Sequence, residues 1–230
     1  MNPIILEAQH TVLQAVVASK VQVYLVAGTA LAMRYQHRYS EDLDFFTQTW
    51  TKTLHRTAAK QITARTRFPV ALAQEMTKPG RAKVAVYQVQ VTARAVLKID
   101  IVEDVDPLLH PVAADGIAST DDLYLRKIRA AIGWRGQQSN TGRALAGGRQ
   151  EAKDLFDLWY LSEHYIPLHV WFPQQFSRQD YVRLVHWLQT MTGQTTTMAL
   201  LDIAPACDTR RIMQHMEDQI YERLNQHYAA

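Results

Sequence analysis

The chain has 230 residues, of which 47% are hydrophobic, and carries a net charge of +3 with a pI near 9.0. This composition supports a folded core in one large domain or two small ones, and it excludes a low-complexity chain. The single cysteine, Cys207, excludes an intrachain disulfide and a cysteine zinc site, which fits a reducing compartment. The mildly basic charge is compatible with an RNA partner without indicating one.

The first predicted element is an amphipathic helix over Ile4–Ala18, whose apolar residues recur at helical spacing. The first residues lack a basic segment, and Glu7 and His10 interrupt the apolar run. We therefore expect no signal peptide, no membrane span and a cytoplasmic location.

A strand, a turn and a second helix follow. Val23–Val26 is a short run of β-formers, Ala27–Thr29 is the turn, and Ala30–Tyr35 has the pattern of a helix. A helix that begins at a small-residue turn presents free backbone N–H groups to an anion. Gly28 would let a phosphate approach the backbone, and Thr29 would add a hydroxyl donor. Many such turns carry Gly-Thr for steric reasons alone, so this pair is a weak signal.

Two aspartates follow at i and i+2 in a second predicted strand. Asp42 and Asp44 flank Leu43, and Phe45 and Phe46 come next. Alternate residues of a strand share a face, so the two carboxylates would lie side by side. Neighbouring carboxylates repel each other unless a cation lies between them, and Mg²⁺ prefers oxygen ligands. The alternative is a strand end with two solvated acids, but the flanking phenylalanines indicate burial nearby.

A third carboxylate would complete a site for two metal ions. The segment 94–102 alternates apolar and mixed residues, and Asp100 is its single acid, so Asp100 is the best candidate. Glu103, Asp104 and Asp106 follow at the predicted strand end, where we interpret them as a solvated loop.

The remaining pattern predicts an α+β fold. A mixed sheet of about five strands is flanked by helices and followed by a helical C-terminal region, with domains at 1–110 and 111–230. The further predicted elements are a helix with a basic face at Thr51–Arg65, strands at Val70–Glu75 and Ala82–Val91 around a turn at Lys78–Gly80, a linker at 106–116, and helices at Ser119–Ile132, Arg149–Leu161, Gln174–Thr190 and Asp208–Tyr228.

Two features of the C-terminal half allow alternative interpretations. The basic, glycine-containing segment 133–148 is either a loop that closes over the triphosphate or RNA, or an ordinary surface loop. A stripe at helical spacing is more typical of core packing than of a partner groove; it consists of Met213, Met216, Ile220 and Leu224.

These motifs resemble a known family. The order Gly-Thr, then Asp-Leu-Asp-Phe, then Lys-Ile-Asp-Ile is similar to that of the nucleotidyltransferase superfamily, which has the DNA polymerase β-like fold. The longer string His-Arg-x-Ser-Glu-Asp-Leu-Asp-Phe-Phe, with the lysine helix and Lys-Asp-x-x-Asp-Leu that follow, resembles the AbiEii/AbiGii toxin branch. The resemblance covers residues 22 to 162. It departs from the family at Ala27, where glycine is usual, and at Lys153, where arginine is common.

The resemblance implies a role for each matching residue of the first half. Asp42 and Asp44 would bind Mg²⁺ and the triphosphate of an NTP. Asp100 would hold a second Mg²⁺ and help deprotonate the attacking group. Gly28 and Thr29 would hold the β- and γ-phosphates, and Ser40 would also bind the nucleotide.

In the second half the resemblance assigns nucleotide binding to a lysine and two acids. Lys127 would neutralise charge on the triphosphate, and Asp154 would order Lys127 or the incoming base, with Asp157 as the second choice. Two other interpretations exist: a solvated face for the basic cluster around Lys127, and a simple i, i+4 pair of Lys153 with Asp157.

As a member of this branch, the chain is expected to be a Mg²⁺-dependent nucleotidyltransferase toxin with a separate antitoxin. Family members with known activity transfer nucleotides to RNA, notably to the acceptor end of tRNA. The alternatives are nucleotidylation of a protein or a small molecule at the same site, and an inactive module that only binds a partner.

Overall fold

A computed structural model of the chain describes residues 2–78, 82–133, 148–204 and 206–229. By their internal contacts the residues divide into two compact units, Met1–Leu123 and Tyr124–Ala230. The helices and strands, in chain order, are α1 Pro3–Ser19, β1 Tyr24–Val26, α2 Ala27–Tyr35, β2 Leu43–Thr47, α3 Lys52–Thr66, β3 Val70–Met76, β4 Val84–Thr92, β5 Ala95–Glu103, α4 Thr120–Ile132, α5 Ala152–His164, α6 Leu168–Gln175, α7 Arg178–Thr190, α8 Gln194–Ile203, α9 Thr209–Glu217, a π-helical segment Asp218–Leu224 and α10 Asn225–Ala229.

The described strands of the first unit form one five-stranded sheet in the order β1-β2-β5-β4-β3. The pair β2–β5 is parallel and the other pairs are antiparallel. The predicted α+β fold with a mixed sheet is therefore confirmed. The parallel pair at the centre is the pair that carries the predicted acidic residues.

The two faces of this sheet differ in burial because apolar and polar residues alternate along β2 and β5. Leu43, Phe45, Ile99 and Ile101 are at most 1% exposed and face the core. Helix α1 covers this core and packs against α3 and β5. Each such side chain contributes about 1.5–3 kcal/mol when it leaves water, so the register of the two strands is strongly fixed. The other face is half-exposed and carries Asp44 and its neighbours.

In the second unit, the predicted helix Gln174–Thr190 is wrong at its start. The chain forms two helices, α6 and α7, separated by an extended Phe176. Ser177 accepts a hydrogen bond from the N–H of Asp180, and the Asp180 carboxylate accepts one from the N–H of Ser177, so a capping box begins α7. The amphipathic pattern continues across this break, which is why periodicity alone did not reveal it.

The final predicted helix extends as helical backbone from α9 through the π-helical segment into α10. Met216, Ile220 and Leu224 are completely buried, so the core interpretation is confirmed for three residues of the stripe, while Met213 is half-buried.

Two predicted features fall on residues that the structure does not describe. They are the turn at 78–80, of which residues 79 and 80 lie outside the described ranges, and the basic segment 133–148, of which 134–147 do. Both interpretations of that segment stay open. The boundary between predicted domains at residue 110 also stays a prediction, and residues 111–123 belong to the first compact unit. Within the described ranges, no helix is long and apolar enough to cross a membrane.

Candidate active site

Helix α2 begins directly at the end of β1, three residues earlier than predicted. Ala27 adopts the left-handed conformation with φ of 61°, and no side chain caps the helix N-terminus. Gly28 follows in close contact with the segment that leads to β2. A Cβ at Gly28 would overlap the guanidinium of Arg38 and lie 3.2 Å from Ser40 Oγ. The Gly-Thr turn thus brings uncapped N–H groups, a guanidinium and a hydroxyl together, which is a suitable environment for an anion.

Thr29 links this helix N-terminus to the first predicted acid. Its side chain is 1% exposed, its Oγ1 lies 2.8 Å from Ser40 Oγ, and it donates a hydrogen bond to the carbonyl of Asp42. Gln9 of α1 fixes the same segment, since its amide donates to the carbonyls of Ser40 at 2.9 Å and Glu41 at 2.8 Å. The predicted phosphate-binding residues therefore lie beside the chain that presents the carboxylates.

The predicted acids of β2 and β5 meet across the parallel strand pair. Asp44 is the direct partner of Asp100 in the register, so both side chains leave the sheet on its half-exposed face. Lys98 lies two residues before Asp100 and reaches the same place. Its Nζ is 2.8 Å from Asp100 Oδ2 and 3.5 Å from Asp42 Oδ2. Two of the three acids that the sequence singled out thus contact one ammonium group, and Asp44 acts on the same group through its charge.

The electrostatics of this cluster favour a cation. Burial alone would lower the pKa of Lys98, but the hydrogen bond to Asp100 and the charges of Asp100, Asp42 and Asp44 outweigh it, so the pKa is raised. Asp100 Oδ1 is buried and has no hydrogen-bond partner. A buried carboxylate oxygen of this kind is costly unless a donor or a metal satisfies it.

Whether these residues fit Mg²⁺ depends on their donor chemistry. Among residues 2–78, 82–133, 148–204 and 206–229, no group of three or more His, Cys, Asp or Glu side chains is arranged to hold a metal. Asp42 and Asp100 instead contact the ammonium of Lys98. All three carboxylates are oxygen donors, the ligand type Mg²⁺ prefers, and Asp100 keeps one unsatisfied oxygen. The chemistry of these donors is therefore compatible with magnesium, although they are not arranged around a metal position.

A cleft of about 410 Å³ opens beside the cluster on the first unit. Its lining combines the acidic and basic groups of this face with a short apolar wall, and includes Asn2, Glu41, Asp42, Gln88, Arg94 and Lys98. Space for a second molecule thus adjoins the carboxylates.

The predicted nucleotide-binding residues of the second unit form their own cluster. Lys127 is 2% exposed, and its Nζ lies 2.9 Å from Asp154 Oδ1 and 2.6 Å from Asp157 Oδ2. Arg149 donates two hydrogen bonds to Asp154, from Nε at 2.7 Å and from Nη2 at 2.8 Å. Burial would raise the pKa of Asp154, but Lys127 and Arg149 outweigh it and hold the pKa below its ordinary value. The Asp154 carboxylate thus contacts the Lys127 ammonium, as expected if Asp154 orders Lys127.

The two other interpretations of this cluster fail on its geometry. Lys127 is buried, so it does not belong to a solvated face. Lys153 pairs with Glu151 at 2.7 Å, and Asp157 with Lys127, so the simple i, i+4 pair of Lys153 and Asp157 is wrong.

The acids after β5 also differ from the expected solvated loop. Asp104 and Asp106 are 7% and 9% exposed. Tyr24 donates a hydrogen bond of 2.5 Å to Asp104 Oδ2, and Glu103 pairs with Lys83 at 2.7 Å. These carboxylates stabilise the strand end, and the interpretation of Asp104 and Asp106 as solvated was wrong.

Sequence reasoning assigned no site role to four residues that position the site. They are Gln9, Arg38, Lys98 and Arg149. Arg38 and Lys98 lie inside the family motifs, each two positions before a predicted site residue, Ser40 or Asp100. This proximity of a basic residue to a site residue was the signal that could have identified them. Gln9 lies 31 residues from Ser40 and offered no such signal.

Three solved structures resemble the chain. JHP933 from Helicobacter pylori has a TM-score of 0.58 at 19% identity and covers 97% of this chain and 95% of its own. A second Helicobacter pylori protein, described as a candidate nucleotidyltransferase, has a TM-score of 0.61 at 17% identity, with 100% and 98% covered. MenT4, a nucleotidyltransferase toxin of Mycobacterium tuberculosis H37Rv, has a TM-score of 0.43 at 12% identity, with 91% and 90% covered. The first two matches support a shared fold over the whole chain.

The fold and the matched family model define the class of the protein, a nucleotidyltransferase. More specifically, the chain belongs to the nucleotidyl transferase AbiEii toxin family of type IV toxin–antitoxin systems, whose model matches residues 13–218. Membership of a toxin–antitoxin family implies an antitoxin as a partner. No curated protein matches the sequence.

Proposed function

We propose that the protein transfers a nucleotide from an NTP to RNA, preferentially to the acceptor end of tRNA, and releases pyrophosphate. The observation that carries this proposal is the pairing of Asp44 with Asp100 across adjacent strands, with Asp42 on the same cation. The segment that carries Asp42 lies beside the uncapped N-terminus of α2, because Thr29 donates a hydrogen bond to the Asp42 carbonyl and Gly28 lies against Arg38 and Ser40. Carboxylates beside an anion pocket are what a triphosphate with its metal requires.

The residues around the turn would bind the triphosphate. The N–H groups at the start of α2 and the hydroxyls of Thr29 and Ser40 are donors for the β- and γ-phosphates. Arg38 adds a guanidinium at Gly28, where it would neutralise phosphate charge. In the second unit, the role of Lys127 in nucleotide binding stays a prediction, and Asp154 and Asp157 hold its ammonium.

Asp42, Asp44 and Asp100 would together hold two Mg²⁺ ions in the proposed enzyme. When bound, magnesium would neutralise the charge that develops on the triphosphate. The hydroxyl oxygen of the acceptor would attack the α-phosphorus in line, forming a P–O bond as the bond to pyrophosphate breaks. Asp100 would accept the hydroxyl proton, a role that its unpartnered Oδ1 supports.

A basic surface on α3 supports a polyanionic acceptor. Between Phe45 and Gln74 the sequence has no acidic residue, and its five basic residues exceed the net charge of +3 of the whole chain. All five are exposed, namely Lys52, Arg56, Lys60, Arg65 and Arg67, and Glu75 of β3 pairs with the first two. Helix α3 packs on the sheet face opposite the carboxylates, since its His55 bonds Tyr87. A basic surface on the opposite face would help a long polyanion such as tRNA and not a small acceptor.

The test is transfer of label from each of the four NTPs to purified tRNA, to tRNA without its 3′ end, and to cell extract. Label should enter intact tRNA with the parent protein and with Asp202→Asn, an exposed control. Asp44→Asn should abolish it. Label in protein or in small molecules and not in RNA would overturn the choice of acceptor. No transfer to any acceptor, with no thermal stabilisation by NTP and Mg²⁺, would favour an inactive partner-binding module.

A further inference from the structure

The amino group of Lys98 has two carboxylate neighbours that the proposed metal also needs. Its Nζ contacts Asp100 Oδ2 at 2.8 Å and Asp42 Oδ2 at 3.5 Å, and Asp44, the strand partner of Asp100, acts on the ammonium through its charge. Lys98 and Asp100 are at i and i+2 in β5, so this meeting is built into the strand. Three acids around one cation would repel each other if that cation were removed.

An ammonium and a divalent ion compete for these oxygens. The ammonium donates hydrogen bonds to lone pairs that a metal would take, and the two positive charges repel at this range. Binding of Mg²⁺ is therefore favoured when Lys98 moves away. A lysine can do so, since its charge sits on a flexible four-carbon side chain. The Lys98 side chain is 43% exposed and lines the cleft of about 410 Å³ together with Gln88 and Arg94.

We infer that Lys98 is a built-in counter-ion of the metal site: it holds Asp42, Asp44 and Asp100 together without metal and withdraws into the adjacent cleft when Mg²⁺ binds. This inference rests on the proposed function, because it takes the three carboxylates to be the magnesium ligands. Lys98 is thus a positioning residue that competes with the metal. It makes the carboxylates pre-organised and lowers their apparent affinity for Mg²⁺, since the ammonium must first be displaced.

Lys83 provides a matched control on the same sheet. Its Nζ lies 2.7 Å from Glu103 Oε1 and its side chain is 40% exposed, close to the value for Lys98. Both lysines thus pair with a β5 carboxylate at similar exposure, but Glu103 is not a proposed metal ligand. A general effect of losing a half-exposed ion pair would affect both positions equally.

The experiment compares the parent, Lys98→Met, Lys98→Arg and Lys83→Met in metal-free buffer and in a Mg²⁺ titration, by calorimetry and thermal unfolding. Without metal, Lys98→Met should unfold at a lower temperature than the parent, because the carboxylates lose their counter-ion. It should bind Mg²⁺ about tenfold more tightly, the scale of one charge-assisted hydrogen bond that no longer has to be broken. Lys98→Arg keeps a cation and should stay near the parent, as should Lys83→Met.

Equal or weaker Mg²⁺ binding by Lys98→Met, with normal binding by the parent, would overturn the inference and leave the proposed function intact. Absence of Mg²⁺ binding in the parent and in every variant would overturn both. If Lys98→Met does not fold without metal, Lys98→Gln replaces it, because the amide keeps one donor for Asp100, and the same comparison of Kd applies.

Discussion

The buried ion cluster of the second unit should be far more sensitive to charge removal than its surface neighbours. Lys127, Asp154 and Asp157 are at most 3% exposed, and the Lys127 ammonium lies 2.9 and 2.6 Å from the two carboxylates. Lys127→Met removes this charge and leaves the carboxylates buried. Asp154 keeps its two hydrogen bonds from Arg149, and Asp157 loses its 2.6 Å contact with the ammonium. Loss of one partner of a buried pair costs about 3–5 kcal/mol, which we expect for this variant.

Urea unfolding followed by circular dichroism measures this loss. Lys153→Met, on the helix that carries Asp154 and Asp157, is the control: its pair with Glu151 is 44% and 41% exposed and should contribute less than about 1 kcal/mol. In Lys127→Met/Asp157→Asn one of the two buried negative charges is also gone, so stability should recover relative to Lys127→Met alone. A cost for Lys127→Met as small as that of Lys153→Met would refute the reasoning.

Three further predictions concern the first unit. Ala27→Gly should raise the free energy of unfolding by up to about 1 kcal/mol, because glycine tolerates φ of 61°. The greater entropy of the unfolded chain offsets only part of this gain. A clearly lower unfolding temperature for the variant would contradict the prediction. Gly28→Ala should remain folded, since its Cβ meets only side-chain atoms, the flexible end of Arg38 and the hydroxyl of Ser40, but should lose stabilisation by NTP in a thermal shift assay; unchanged stabilisation would argue against phosphate binding there. Burial lowers the pKa of His55, so the unfolded chain binds more protons below pH 6.5, and stability should fall between pH 7.5 and 5.5. His55→Gln should weaken that dependence in urea unfolding, and an unchanged slope would exclude His55 as its source.

The alternation of apolar and polar residues was sufficient to predict a strand when one face of that strand is buried. Alternation along 94–102 predicted β5 and singled out Asp100, and the register then paired it with Asp44. The prediction succeeded because a one-residue slip would move every apolar side chain of the strand into water. The start of α7 was missed although Ser177 and Asp180 carry a capping signal, because the apolar periodicity continued across the break.

Polar contacts between residues far apart in the chain could not be predicted from the sequence. Tyr24 and Asp104 are 80 residues apart, yet their hydrogen bond turns an apparent loop acid into a buried one. Lys98 was visible only as a polar residue on the mixed face of β5. Its contact with Asp42 depends on which strand lies beside β5, and nothing local to residue 98 encodes that neighbour.

These contrasts determine how growth-inhibition assays with site variants should be interpreted. Lys127→Ala removes the charge that two buried carboxylates share, so a loss of toxicity could arise from unfolding as well as from catalysis. Asp44 lies on the half-exposed face, where Lys98 faces three acids, and removing one negative charge there reduces repulsion among the others. Asp44→Asn also keeps the side-chain volume. A loss of toxicity in Asp44→Asn, with stability retained, therefore identifies catalysis as the cause, and Lys127→Ala becomes informative only beside its measured stability.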